Sequence, residues 1–192
     1  SPLPTPIPGK HEPREEVDRS ILEAARRKKL ERIVELGHDP WGGRFDDRQL
    51  LGDIRDRADE IRYRTEDGVE HQLPDLSTDE ARAGFRQWKA DQGKGEMIGP
   101  RVRAAGRIVL HRDKGKLHFV DIRDLTADIQ IMIGMKQVGE DWELAQCFDL
   151  GDIIGVDGPL VRSNTGELSI LADRLHFLSK SIETPPDKHS GL

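Results

Sequence analysis

The spacing of apolar residues changes to a period of two at residue 101 and keeps that period almost to residue 178. Alternation of this kind predicts β-strands with one buried and one outward face. We predict five strands, at residues 101–112, 116–123, 127–133, 152–161 and from the turn at residues 163–166 to about residue 178. A chain with this pattern must form a mainly β domain, because no helix keeps alternate residues on one side.

A short helix is expected between the third and fourth strands. Residues 139–141 open it, and Trp142, Leu144 and Phe148 supply its apolar side. Five strands with a helix after the third follow the order of an OB barrel, βββαββ, which often binds oligonucleotides on its second and third strands. The predicted fold class is therefore mainly β with added helices: a five-stranded OB barrel preceded by an N-terminal helix and a charged insertion.

The predicted domain organisation has four parts. Residues 1–13 begin with proline at every second position and are expected to be extended and disordered. Residues 14–100 hold a helix over about 14–36 and a charged insertion, residues 101–180 form the barrel, and residues 181–192 are a linker. Only the C-terminal half of the helix should pack, because Arg26 and Lys29 interrupt its apolar face.

Within the insertion, the pattern predicts a hairpin, a helix and a loop. The hairpin pairs residues 60–64 with residues 69–73 around Asp67-Gly68, a favoured turn dipeptide. The helix spans about residues 78–90 with Thr78 or Ser77 as its cap. Gly93, Gly95 and the Gly-Pro pair at residues 99–100 predict a loop or linker.

Charge limits the kinds of nucleic-acid surface that the chain could present. The formal net charge is −6, yet residues 101–123 hold seven Lys or Arg against two acids. Any nucleic-acid surface should lie in that locally basic segment. The single cysteine, Cys147, favours a reducing, cytoplasmic location, and no apolar run predicts a membrane span or a signal peptide.

Two side chains on the outward face of the barrel are candidates for contacts with bases. Val120 and Ile122 belong to the core side of the second strand, so Phe119 should point outward, where an aromatic ring can stack on a base. Gln130 should share that face on the third strand and offers a donor and an acceptor to a base edge. The alternatives are a Phe119 that covers the flank of the core and an ordinary surface glutamine.

Two charged residues complete the candidate site. Arg112 ends the first strand and could contact phosphate or a base, and Glu167 could accept from a base amino group or hold Arg112. Further phosphate contacts are possible at these cations: Arg26, Lys29, Arg107, Lys114 and Lys116. The basic run at residues 26–29 is otherwise a solvated helix face. We expect no catalytic residue and no metal site, because phosphate-loop, nucleophile and metal-ligand spacings are missing.

Several segments together carry a resemblance to a known family. They are GRI at residues 106–108, HRDKGKLHFVD at 111–121, DIQ at 128–130, FDLGDIIG at 148–155, TGELSI at 165–170, PPDKHSGL at 185–192, and the helix end LGHDP at 36–40. As a set they resemble the class IIb aminoacyl-tRNA synthetases, and the lysyl-tRNA synthetases in particular. The resemblance covers roughly residues 14–41 and 102–192.

The resemblance implies an anticodon-binding barrel from the N-terminal region of a lysine–tRNA ligase. Phe119 would stack on the central uridine of the anticodon, Gln130 and Arg112 would hydrogen-bond that base, and Glu167 would contact a neighbouring base. Many relatives have two adjacent arginines where this chain has His111-Arg112, which puts one phosphate contact in question.

The same resemblance implies what the full-length enzyme would do. It would be a cytoplasmic homodimer that uses ATP and magnesium to charge lysine tRNA, with its catalytic domain beyond residue 192. This segment is expected to bind tRNA and to need no cofactor and no membrane. Two alternatives stay open: the barrel of an aspartyl or asparaginyl synthetase, and a stand-alone OB module that binds single strands or a protein, or serves only as an interaction scaffold.

Overall fold

The computed structural model describes residues 12–183, with side chains from residue 16 onward. The helices are α1 (Glu12–Glu35), α2 (Leu51–Arg55), α3 (Asp79–Ala83), α4 (Phe85–Gln92), α5 (Met135–Val138) and α6 (Trp142–Ala145), with 3-10 turns at Ala58–Glu60 and Gly139–Asp141. The strands are β1 (Arg62–Thr65), β2 (Glu70–Gln72), β3 (Gly95–Ile98), β4 (Arg101–Asp113), β5 (Leu117–Arg123), β6 (Asp128–Gly134), β7 (Ile153–Arg162), β8 (Leu168–Leu171) and β9 (Arg174–Ser179). The proline-rich segment and the predicted linker lie mostly outside the described residues.

Strands β4 to β8 close into a ring, which confirms the predicted barrel. Antiparallel pairing joins β4 to β5, β5 to β6, β8 to β7 and β7 to β4. The ring closes where β6 runs parallel to β8, with Gln130 opposite Ser169 and Ile131 opposite Ile170. The predicted fifth strand is split into β8 and β9 by Ala172 and Asp173, and β9 continues along β7.

The inward face of each strand carries the apolar residues that the alternation predicted. Val120 and Ile122 on β5 are fully buried, as are Ile131 and Ile133 on β6. The helical segment between β6 and β7 begins at Met135, four residues earlier than expected, and it is broken by the turn Gly139–Asp141. Leu144 and Phe148 from this segment close one end of the core.

The first helix packs through its C-terminal half only, as predicted. Ile33 is fully buried in the barrel's apolar cluster, whereas Val17 and Leu22 are more than half exposed. The packing side of α1 therefore lies at the end that precedes Gly37, which has φ +86 and terminates the helix.

The insertion forms more regular structure than the sequence indicated. The predicted hairpin is present, with Tyr63 opposite His71, and Thr78 caps α3 by accepting from the Ala81 amide. The predicted helix is divided at Gly84 into α3 and α4. The predicted loop around Gly95 is wrong, because Gly95–Ile98 is a third strand paired with β1.

Glycine is required at residue 95 by that pairing. A Cβ there would meet the Arg64 carbonyl. The same glycine that indicated a loop thus permits a close strand approach. Helix α2 was not predicted, yet its Leu51 and Ile54, together with Ile61, are buried in the same apolar cluster as the barrel strands.

Candidate nucleic-acid interface

Arg112 and Phe119 are paired residues on the two strands that meet at the β4–β5 turn. Their neighbours His118 and Val120 are buried, so the pleat directs Phe119 away from the core, as predicted. The guanidinium carbon of Arg112 lies 5.3 Å from the centroid of the Phe119 ring. This is a cation–π contact between an exposed cation and a half-buried ring. One side of the aromatic ring is thus covered by the Arg112 side chain.

Gln130 leaves the same face of the barrel on the neighbouring strand, opposite Asp121. Its Nε2 donates to the Ser169 hydroxyl at 2.8 Å, and its Oε1 accepts from Arg112 Nη2 at 3.2 Å. The side chain is only 8% exposed, so it is less accessible than an ordinary surface glutamine. These two bonds fix the amide with its oxygen toward Arg112.

A polar cleft of about 400 Å³ lies beside this group. Arg112, Gln130 and Glu167 line it, so three of the four residues predicted to contact bases share one concave surface. Glu167 does not hold Arg112: its ion-pair partner among the described residues is Arg82, whose Nη1 is 3.8 Å from the carboxylate. Phe119 does not line the cleft, but its ring contacts Arg112, which does.

Asp121 and Arg55 are among the residues of the cleft that were not predicted as part of the site. Asp121 occupies the same outward face as Phe119, and burial raises the pKa of its carboxyl; nearby Glu167 and Asp128 act in the same direction while Arg112 opposes them. Arg55, from the unpredicted helix α2, donates to the Asp128 carbonyl at 3.0 Å. The alternation placed Asp121 on this face, whereas no local sequence signal marked Arg55.

The basic residues of the β4–β5 region differ in whether they form hydrogen bonds with other parts of the protein. Lys114 and Lys116 are exposed in the turn. Arg107 is exposed apart from a 2.8 Å bond from its Nη1 to the Gly151 carbonyl. All three lie on or next to the strand that carries Arg112.

The two cations predicted on α1 both bind other parts of the protein. Arg26 is only 8% exposed, and its guanidinium donates to the carbonyls of Leu150 and Ser181 at 3.0 and 2.8 Å. Its burial argues against the phosphate contact predicted for Arg26. Lys29 remains 37% exposed but forms a 2.7 Å ion pair with Asp149.

Two kinds of feature are absent from the part of the chain that the structure describes. Within residues 12–183 no group of three or more His, Cys, Asp or Glu is arranged to bind a metal. No described helix is long and apolar enough to cross a bilayer.

Comparison with known protein families identifies the barrel. Residues 102–178 match the family of tRNA anticodon domains described as OB-fold nucleic acid binding domains. The barrel therefore has the OB fold, and it is similar to the nucleic acid binding domains of that family. The matched range begins inside β4 and ends inside β9, so it covers every strand of the closed ring.

The chain around the OB-fold domain is similar to part of an enzyme. It is 36% identical over 179 residues to the lysine–tRNA ligases of Staphylococcus aureus strains Mu3, N315 and COL. That similarity covers 93% of this chain and 30% of each relative, so the chain spans less than a third of the relatives' length. The resemblance to lysyl-tRNA synthetases is thereby confirmed, and it extends through the insertion as well as the OB-fold domain.

Proposed function

We propose that the OB-fold domain binds the anticodon of lysine tRNA through Arg112, Phe119, Gln130 and Glu167. The observation that supports this most directly is that Arg112, Gln130 and Glu167 line one polar cleft of the OB barrel, while Phe119 contacts Arg112. The four residues supply a ring, an amide, a cation and a carboxylate. Together these groups can stack on one base and hydrogen-bond to its edge.

Stacking would provide most of the binding energy at the central base. A base placed on Phe119 would take the place that the Arg112 guanidinium now holds over the ring. Stacking one base on an aromatic side chain contributes ~1–3 kcal/mol. Arg112 would then be free to donate to the edge of the same base while keeping its charge beside the RNA backbone.

The orientation of the Gln130 amide favours uridine over cytidine. Its Oε1 faces Arg112, while its Nε2 is occupied by Ser169. Uracil presents an N3–H donor between two carbonyl acceptors, so Oε1 could accept from N3–H while Arg112 donates to a carbonyl. Cytosine has an unprotonated N3 and would leave the buried Oε1 facing a lone pair.

Phosphate contacts would come from a few basic residues, since the chain is acidic overall. Lys114 and Lys116 are exposed beside Arg112, and Arg107 lies on the same strand. Lys29 would contribute less, because its ammonium is paired with Asp149. This limited set implies modest affinity with a shallow salt dependence.

We further propose that the chain serves a cytoplasmic lysine–tRNA ligase that acts as a homodimer. The similarity to the staphylococcal lysine–tRNA ligases supports this proposal. ATP, magnesium and lysine would be bound by a part of the enzyme other than these residues. The segment described here would position the tRNA and would need no cofactor of its own.

The test is fluorescence anisotropy of this chain with two lysine-anticodon stem-loops at fixed salt. One stem-loop keeps the central uridine and the other replaces it with cytidine. We expect tighter binding to the uridine loop. Equal affinity for both would favour a stand-alone OB module, and the absence of binding at about millimolar RNA, the weak end of specific recognition, would favour a protein-interaction scaffold.

A second set of stem-loops separates lysine from its nearest alternatives. The aspartate and asparagine anticodons share the central uridine but differ at a neighbouring base. Glu167, which lines the same cleft as Arg112 and Gln130, could contact such a base. Tighter binding to the lysine loop supports the lysine assignment, whereas preference for either other loop would assign the chain to that sister synthetase.

A further inference from the structure

A second cleft lies between the insertion and the OB-fold domain. It has a volume of about 410 Å³ and is bounded by α3 and the start of α4 on one side and by the β7–β8 loop on the other. Thr165 and Glu167 line both this cleft and the one beside Arg112. The two clefts therefore meet at the same loop, and a single strand that occupies the first would continue into the second.

The insertion is held against that loop by direct contacts. Lys89 donates to the Asn164 side chain at 2.7 Å, and Arg82 approaches the Glu167 carboxylate to 3.8 Å. Gly166 has φ +83, and a Cβ there would lie 2.9 Å from Cγ of Arg82. The loop can accept α3 this closely only because residue 166 has no side chain.

Aromatic packing fixes the position of α4 and of the basic residues that it carries. Phe85 is fully buried, and the Trp88 ring stacks on it with centroids 5.8 Å apart. Tyr63 of β1 contacts Trp88 edge-on at 5.9 Å and donates its hydroxyl to the Gly93 carbonyl. The helix is thus fixed to the three-stranded sheet, and its position relative to the barrel is set on two sides.

The cations of the second cleft are not equally available. Arg82, one of the two cations that line the cleft, is paired with Asp79 and lies near Glu167. Arg86 is exposed, lines the cleft, and forms no ion pair with any residue that the structure describes. It is the cleft's available phosphate ligand.

We propose that the insertion is a second RNA-contacting surface, in which Arg86 binds the phosphate of a nucleotide that flanks the bases held by the OB-fold domain. This inference rests on the proposed anticodon binding and assigns a role to the α3–α4 unit within it. The nucleotide would pass over Thr165 and Glu167 into the second cleft. Asn164 and Thr165 would offer polar groups to its sugar or base.

The experiment measures the affinity of the whole chain for the lysine-anticodon stem-loop at several salt concentrations. Arg86→Gln should weaken binding roughly ten-fold, as expected for losing a charged phosphate contact, and should lower the salt slope by about one. Arg86→Glu should weaken it further. Both variants should keep the preference for uridine over cytidine at the central position, because they do not touch Gln130.

An exposed arginine outside both clefts provides the control. Arg174→Gln, on β9, removes the same charge and should leave affinity and salt slope close to those of the wild type. If the Arg174 and Arg86 variants lost the same affinity for RNA, the loss would come from the change in net charge, and the proposal would be overturned.

The failure of this inference is distinct from the failure of the proposed function. If Arg86→Gln binds like the wild type while Phe119→Ala loses affinity, the insertion does not contact RNA and anticodon binding stands. If the wild type itself does not distinguish uridine from cytidine, the proposed function fails, and the second surface fails with it.

Discussion

The Nζ atom of Lys180 lies 2.8 Å from Oδ2 of Asp152, and both side chains are completely buried. The same ammonium also contacts Asp149 at 2.7 Å and the Cys147 carbonyl at 3.1 Å. Asp149 in turn holds Lys29 of α1. The network joins the end of β9, the turn before β7 and the first helix, and none of its members is proposed to contact a base.

Lys180→Met should therefore destabilise the fold without altering base recognition. Removing one partner leaves a buried carboxylate unpaired, which typically costs about 3–5 kcal/mol. Urea unfolding measures the loss. Lys29→Met is the matched control: its ion pair is partly exposed and should contribute only about 0–1 kcal/mol. Similar losses in both variants would show that the buried pair is not the anchor.

Phe119→Ala should weaken RNA binding and leave the fold nearly intact. Loss of a stacked base costs ~1–3 kcal/mol of binding energy, while the ring itself packs outside the core. Anisotropy measures the first effect and thermal unfolding the second. Ile122→Ala, on the opposite face of the same strand, is the control and should destabilise the barrel by about 2–5 kcal/mol. An unfolded Phe119→Ala variant would place the ring in the core and remove it from the interface.

Gln130→Met should reduce discrimination more than affinity. The methionine keeps the length of the side chain but offers no amide oxygen to uracil N3–H. The preference for uridine over cytidine should then fall by about 1–2 kcal/mol, the value of one hydrogen bond to a buried group. Titrations with the two stem-loops test this, and an unchanged preference would assign discrimination to Arg112 alone.

Stability should fall as the pH drops below about 6.5, the ordinary pKa of histidine. Burial lowers the pKa of both His111 and His118; the neighbouring His118 lowers that of His111 further, whereas Asp113 opposes the shift in both. His111 Nε2 and His118 Nδ1 are 3.1 Å apart, so only one proton fits between them. The unfolded chain binds protons first, and the folded state loses free energy as pH falls toward the lowered pKa values.

The measurement for this prediction is the melting temperature at about pH 7.5 and pH 5.5, on either side of the unfolded-state pKa. His111→Gln removes one of the two groups and should narrow the difference between the two temperatures. An equally large difference in the variant would place the pH dependence elsewhere in the protein.

The barrel could be predicted because the alternation of apolar and polar residues is visible within each strand by itself. Alternation in β5 and β6 identified the core side, and the same parity placed Phe119, Asp121 and Gln130 together on the other face. No contact between distant segments was needed for that inference. The alternation that predicted the strands therefore also predicted which of their residues share the outward face of the barrel.

The remaining features depend on partners far away in the chain. Strand β3 forms only because β1 offers an edge about thirty residues earlier, so its glycine looked like a loop signal. Arg26 finds its carbonyl partners at Leu150 and Ser181, which no helical periodicity indicates. Arg55 enters the cleft for the same reason, through the docking of a five-residue helix.

The position of Arg112 over Phe119 makes base binding a substitution rather than an addition. In the free protein the Arg112 guanidinium already lies over the Phe119 ring, so it partly shields the ring from solvent and from nonspecific hydrophobic contacts. An incoming base must offer more than the guanidinium that it displaces. A ring that only stacks replaces the cation–π contact with a similar one, so its binding energy is small. A base that also accepts a hydrogen bond from the displaced guanidinium adds a second favourable interaction. In the proposed interface, Arg112 would therefore compete with the base for Phe119 and would weaken the binding of ligands that only stack.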